Sequence, residues 1–418
     1  MKNRFWRIAI VLGALGLLTA TAFLADHGTS QDQPPVRVLF IGNSYTYFND
    51  LPDIFAGLAK AGGQGRIETR MEAPGGWRLK DHWEKGEARK ALAEKKWDFV
   101  VLQDQSTLGV NYYFEGKPRV TSDEVFRPYA EKWAAAIRDA GATPVFYLTW
   151  ARRATPQDQA ALNYAYITVA RETKGVVAPV GIAWRIALDE RPALDLYYQD
   201  GSHPSAAGSY LAACALYAAI LKRNPEGLPG RIEGQPVNLD TEKVEPGKVA
   251  VLADILPAEA KVLQSASWRA WRQLAERGGY LDVAPVPAPT PVLPAGMPLD
   301  ASRLEGAWTG EILFYPAGPA EMTLTLRRVG GQWSGRLEIS YRSKDLKDES
   351  IELADLRVGE HELTFSDPKS PGVSDLKVSF RGVCPRAGEM TGLAEATRLQ
   401  PDSTVRLLGT WRLHTKAG

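Results

Sequence analysis

Two cysteines in 418 residues, Cys214 and Cys384, are too few for a disulfide framework or a four-thiolate zinc site. Charge of one sign is also missing. Fifty lysines and arginines against 49 aspartates and glutamates leave a net charge of +1, so no global field gathers nucleic acid or an anionic membrane. Past the first two dozen residues no apolar run is long enough to cross a bilayer, and no internal repeat of solenoid period occurs. A G-x-S-x-G elbow is absent, which argues against an ordinary α/β-hydrolase nucleophile. What is present is globular: 44% hydrophobic and 24% charged residues build real cores. The length exceeds what one core usually organises, so at least two domains are expected.

The amino terminus reads as an export signal. Lys2, Arg4 and Arg7 precede an apolar run from Ile8 to Leu18, followed by the small residues Ala20-Thr21-Ala22. The expectation is a periplasmic or secreted protein, with residues 1–25 a cleaved signal peptide in preference to an anchor. From 36 to 281, β-branched apolar runs alternate with helical patterns: Val36 to Ile41, Arg66 to Ala73, Phe99 to Leu102, Pro144 to Thr149 and Val176 to Val180 as strands. Between them, Leu51 to Ala61, Leu79 to Lys95, Tyr129 to Ala140, Gln157 to Thr173 and Ala206 to Arg223 read as helices. That alternation predicts a parallel sheet covered on both faces. A further helical stretch, Pro257 to Arg277, is expected to pack on this layer. Residues 282–300 are proline-rich and nearly uncharged, a polyproline-type linker. Residues 301–418 read as a β-rich accessory domain, barrel or sandwich, with Trp308-Thr309-Gly310 and Gly409-Thr410-Trp411 as neighbouring strands.

The chemistry gathers at strand ends. The first strand runs into Gly42-Asn43-Ser44, at the carboxyl edge where open α/β sheets bind ligands. Helix capping is the structural alternative for Asn43 and Ser44. Near the end of the region, Asp200-Gly201-Ser202-His203 places an acid three residues before a histidine, so the carboxylate can hold one ring nitrogen while the other serves as a base. His82 lies within a helical pattern and is expected to pack there. Gly75 and Gly76 follow the second strand, where a backbone N–H can approach a developing oxyanion. Gln103-Asp104-Gln105-Ser106 follows the third, offering carboxamide donors at the same edge. Trp77, Tyr112 and Trp150 stand at or past predicted strand ends and are candidates for stacking on sugar rings.

Taken in chain order, these blocks resemble the SGNH (GDSL-like) hydrolase superfamily. Gly42-Asn43-Ser44 matches its first block, Gly75 or Gly76 its second-block glycine, and Asp200-Gly201-Ser202-His203 its Asp-x-x-His. Two departures mark a divergent branch: Asn43 stands where the family has aspartate, and the third block, usually Gly-x-Asn-Asp, reads Gln103-Asp104-Gln105-Ser106. The resemblance implies a three-layer α/β/α flavodoxin-like domain and ester hydrolysis without metal or other cofactor. It gives Ser44 as nucleophile, His203 as base and Asp200 as its orienting acid. The oxyanion donors would be Ser44, Gly75 or Gly76, and Gln105, with Gln103 the alternate. The expected substrate is an acyl, chiefly acetyl, ester on carbohydrate, with no nucleic-acid partner and no membrane contact beyond an N-terminal anchor. The alternatives are a lipase or lysophospholipase-type esterase and a non-catalytic glycan-binding surface protein.

Overall fold

Val36–Ile41 (β1) is apolar and β-branched because it is the inside of a sheet, and its last four residues are buried. A computed structural model describes residues 34–415 of the protein, apart from 290, 316–317, 343–345, 368–376 and 401–402. The amino-terminal apolar run and His27 lie outside the described residues. After β1 come a one-turn helix, Ser44–Tyr47 (α1), and Leu51–Ala61 (α2), then Ile67–Glu72 (β2), Leu79–Lys85 (α3), Glu87–Glu94 (α4) and Phe99–Leu102 (β3). Two short strands, Asn111–Phe114 (β4) and Lys117–Pro118 (β5), precede Phe126–Asp139 (α5), Thr143–Tyr147 (β6), Gln159–Glu172 (α6) and Val176–Ala178 (β7). Val180–Glu190 (α7) and Ala206–Leu221 (α8) follow. Two small ribbons come next, Arg231–Gly234 (β8) with Ala250–Asp254 (β11), and Val237–Asn238 (β9) with Lys243–Val244 (β10). Pro257–Ala275 (α9) closes this half of the chain.

The five-stranded sheet has the order β2-β1-β3-β6-β7 and is parallel throughout, as expected for a flavodoxin-like layer. Chain direction across the sheet reverses between β1 and β3, and a crevice opens outside the carboxyl ends of strands at such a reversal. Ser44 follows β1 and Gln105 follows β3, so both stand at that crevice. Helix α8 is apolar on every side, and it is buried on every side because it packs on α2, α7, α9 and β7. Helix α9, expected from its pattern alone, provides one of those covers.

Local chemistry explains where the predicted elements broke. The helix read from Leu79 to Lys95 is two helices, because Gly86 takes a φ of 83° and ends α3. Helix α7 and both ribbons were missed.

After a short helix, Ala301–Leu304 (α10), the remaining chain is antiparallel sheet. Its strands are Gly306–Tyr315 (β12), Gly318–Val329 (β13), Gln332–Tyr341 (β14), Glu349–Glu352 (β15), Ala354–Val358 (β16), Leu363–Asp367 (β17), Val378–Arg386 (β18), Glu389–Gln400 (β19) and Ser403–Thr415 (β20). They run in the order β15-β14-β13-β12-β20-β19-β18-β17-β16, and β14 packs against β16, so the sheet curls into a nearly closed barrel around Trp308, Phe314, Phe365 and Trp411. The strands that carry the two tryptophan motifs are neighbours, with the motifs offset along the ladder: Trp308 stands opposite Thr415, and Trp411 opposite Ile312.

The two halves of the chain are joined. Strand β4 pairs in parallel with the first half of β20, Asn111 opposite Val405 through Phe114 opposite Leu408. The proline-rich segment is held at both sides, since Pro289 O accepts from the Tyr112 hydroxyl and Met297 N–H donates to Cys384 O. Both cysteines are free thiols; burial pushes the Cys214 thiol far above its ordinary value.

Candidate active site

The turn that carries Ser44 is built by its neighbours. A Cβ on Gly42 would lie 2.6 Å from Gln103 Oε1 and 2.3 Å from Thr46 Oγ1, so only glycine lets the backbone leave β1 this close to the third block. Asn43 then caps α1, its Oδ1 accepting from Tyr45 N–H at 3.1 Å, while its Nδ2 donates to Trp77 O at 2.8 Å. Because Asn43 serves as the cap, the Ser44 side chain is free to face His203.

His203 Nε2 lies 2.8 Å from Ser44 Oγ, and His203 Nδ1 hydrogen-bonds Asp200 Oδ2. The Asp200 loop is tight: Gly201 has a φ of 68°, and Asp200 Oδ1 accepts from the Ser202 and His203 N–H groups at 2.8 and 3.0 Å. Burial alone would raise the Asp200 carboxyl, but the His203 ring and the two backbone donors outweigh it and hold the group below the usual carboxylate range. It is therefore ionised at neutral pH, which fixes the histidine with its Nδ1 protonated and its Nε2 turned to Ser44. Phe48 stacks on the His203 ring at 4.4 Å between centroids and restricts its rotation.

The open cleft beside Ser44 has a volume of about 410 Å³ and is lined by Ser44, Gly75, Gly76, Gln105 and His203, together with Tyr47, Phe48, Arg152 and Glu242. The structure thus brings together all three residues of the Ser-His-Asp reading, both glycines and one of the two glutamines.

Gln105 and Gln103 separate cleanly. Gln105 is half-buried on the cleft wall, and its Oε1 accepts from Thr107 N–H and Thr107 Oγ1, each at 2.7 Å. A backbone N–H can only donate, so the oxygen end of the amide is fixed there and Nε2 is the end left over. Gln103 is fully buried and spent on structure, its Oε1 accepting from Asn43 N–H and Thr46 Oγ1 and its Nε2 donating to Asn43 Oδ1 and Asp104 O. It does not line the cleft.

Of the glycines, Gly75 donates its N–H to Glu242 Oε2 at 2.8 Å. The Ser44 and Gly76 N–H groups carry no hydrogen bond among the described residues. Gly76 adopts a φ of 70°, a conformation that favours glycine.

The stacking candidates need correction. Trp150 is fully buried, sandwiched between Tyr45 at 4.6 Å and Trp184 at 4.0 Å, with its indole N–H on Ser202 O, so it supports the His203 loop from behind. Tyr112 is buried in β4 against the second sheet. Trp77 lies beneath Lys85, whose Nζ is 3.6 Å from the ring centroid, and does not reach the cleft. The aromatic rings at the cleft are Tyr45, Tyr47 and Phe48, which the sequence signalled only by directly following Ser44. His82 is buried, and its Nε2 donates to Gly42 O at 2.7 Å, bracing the turn that carries Ser44. Burial lowers it to about 4. Ser106 adjoins Gln105 and was within reach of a sequence reading. Glu242, 167 residues from Gly75, carried no such signal.

No family model and no curated protein sequence matches the chain. Among solved structures it is similar to a protein described as an SGNH hydrolase from Slackia heliotrinireducens, at 30% identity over 45% of this chain and 100% of that one, with a TM-score of 0.38. The chain belongs to the SGNH hydrolases. Membership rests on that identity across the other protein's whole length, beside the four blocks, and not on the superposition. The chain is also similar to a DUF4886 family protein from Bacteroides uniformis, at 20% identity over 57% of this chain and 95% of that one, TM-score 0.39. A third similarity is to an acetylxylan esterase from Geobacillus stearothermophilus, at 14% identity over 43% and 92%, TM-score 0.34. As an SGNH hydrolase this protein is divergent in two of its four blocks, and Asn43 and Gln103 explain each other: the first-block amide and the third-block amide hydrogen-bond directly.

Proposed function

We propose that the protein is an exported serine esterase that removes short acyl groups, acetyl above all, from carbohydrate through an acyl-enzyme. The observation that carries this reading is the continuous relay from Ser44 Oγ through His203 to Asp200. Ser44 attacks the ester carbonyl as His203 Nε2 takes its proton; the C–O bond to the alcohol breaks as the same proton passes to the leaving oxygen. Water, deprotonated by His203, then hydrolyses the acyl-serine. The oxyanion is received by the Ser44 N–H, a second-block glycine N–H and Gln105 Nε2, each donor contributing about 3 kcal/mol when well aimed.

An open cleft in which Gln105, Ser106, Arg152 and Glu242 stand beside Tyr47 and Phe48 favours a sugar ester over a long acyl chain. Export rests on the basic and apolar pattern of the first 22 residues. Turnover of p-nitrophenyl acetate far faster than of the palmitate, lost in Ser44→Ala, is the expected result. Absence of serine-dependent turnover on every short ester would favour the non-catalytic glycan-binding alternative, and preference for the palmitate would favour a lipase. A mature protein retaining Met1 in its exported form would contradict cleavage.

A further inference from the structure

Of the buried or partly buried arginines in the first half of the chain, six are neutralised by carboxylates: Arg37 by Glu68, Arg70 by Glu72, Arg78 by Asp81, Arg119 by Asp158, Arg127 by Asp123 and Arg191 by Glu259. Arg152 is the exception. It follows β6, lines the catalytic cleft, and has no acidic partner among the described residues. Its Nε and Nη2 both rest on Ser106 Oγ, at 3.2 and 2.7 Å. A hydroxyl fixes the guanidinium without discharging it, and an uncompensated charge withdrawn from water is costly unless something supplies the counter-charge.

The order of the strands says where that counter-charge enters. Along the carboxyl edge of the sheet, Gly75 with Glu242 follows β2, Ser44 follows β1, Gln105 and Ser106 follow β3, and Arg152 follows β6. Glu242, the one acid in the cleft wall among the described residues, is therefore on the far side of Ser44 from Arg152, and cannot serve as its partner. Backbones two strands apart are roughly 10 Å apart, and less at the tips of long side chains. A carboxylate several bonds from an ester carbonyl spans that gap.

We infer that Arg152 is a specificity-determining residue that binds a carboxylate of the substrate, so that the esters taken are those of acidic saccharides of the uronic-acid type. The inference rests on the esterase reading for the substrate class but not for the anion site itself. The guanidinium, with its orientation set by Ser106, presents its remaining N–H donors in a planar fork suited to a carboxylate.

The test is equilibrium binding by titration calorimetry to the full-length Ser44→Ala protein, comparing 4-acetoxybenzoate with its uncharged methyl ester. The expected result is at least tenfold tighter binding of the anion. That advantage should shrink as salt is raised and fall to less than threefold in Ser44→Ala/Arg152→Gln, while Arg152→Lys keeps part of it. Equal affinity for the two esters, no detectable binding of the anion, or an advantage that survives Arg152→Gln would each overturn the inference. Thermal unfolding of the Gln and Lys variants separates loss of charge from loss of fold, since the Lys variant removes the guanidinium while keeping the positive charge. Binding needs no turnover, so a protein inert toward every ester that still prefers the anion through Arg152 would refute the esterase reading and leave this site standing.

Discussion

Gln105 is held through a single atom, its Oε1 on Thr107, and this decides which end of the amide meets a substrate oxygen. If Nε2 stabilises the oxyanion, its bond strengthens as charge develops, so Gln105→Ala should lower kcat by about 10²-fold with KM little changed. Steady-state kinetics checks this; an unchanged kcat would remove Gln105 from the oxyanion hole. Gln103→Ala is expected to behave differently, losing stability first, because its amide joins Asn43, Thr46 and Asp104 in a buried network. Next to it, burial raises the Asp104 carboxyl to about 7 despite bonds from the Gln105 and Leu79 amides. Below its ordinary value of 3.8 the group is protonated both folded and unfolded; from there to about 7 the folded protein keeps a proton that the unfolded chain releases, so this stability is lost as pH rises. His82 acts oppositely: with a folded value of about 4 against 6.5, its contribution is present above 6.5 and lost as pH falls toward 4. Asp104→Asn should therefore gain in melting temperature relative to wild type on going from pH 4.5 to 7.5. A difference independent of pH would show that Asp104 is ionised throughout.

At the scale of elements, the β9–β10 hairpin matters most to the site, because it carries Glu242 onto Gly75 N–H and within 3.4 Å of the Tyr47 hydroxyl. On the proposed mechanism, a carboxylate there occupies a donor that would otherwise be open to an oxyanion. Glu242→Ala should raise the rate of Ser44 acylation by small esters several-fold, read by pre-steady-state release of p-nitrophenol; a slower rate would make Glu242 a required positioning group instead. None of this hairpin was legible, since four paired residues leave no periodic pattern to detect. By contrast β1, α2 and β3 stood out at their observed limits, because buried central strands and an amphipathic helix with a following glycine carry their signal locally. The site was legible to the same degree: Ser44, Asp200 and His203 lie on short turns at strand ends. Trp150, chosen for its place past β6, proved to be packing, and the neighbour two residues on, Arg152, is the one that lines the cleft. Strand β4 was missed for a different reason. Its partner β20 lies almost three hundred residues away, so Asn111–Phe114 has no strand-forming context in its own region.

That long-range pairing gives the whole molecule its logic. The excursion from Gln105 to Arg119 leaves the cleft wall, adds β4 to the second sheet, and is fastened there by Glu115, which accepts from Thr410 Oγ1 at 2.8 Å and donates its N–H to Leu408 O. It returns to the first half through the buried pair Arg119–Asp158. The β-rich half therefore does more than extend the chain beyond a linker: it holds the loop on which Gln105 and Thr107 stand. Shortening the protein to end at Pro298 should leave the amides of 111–115 open to hydrogen exchange and lower kcat more than it alters Ser44 reactivity. Protection of those amides in the shortened chain would contradict this coupling. The central claim, however, is that Ser44 is a nucleophile activated by His203 and Asp200, and the most direct measurement is mass spectrometry of the full-length protein after exposure to a fluorophosphonate. The account predicts one adduct on the peptide containing Ser44, absent in Ser44→Ala and formed at least a hundredfold more slowly in His203→Ala. An adduct on another residue, or labelling of Ser44 at the same rate without His203, would contradict it.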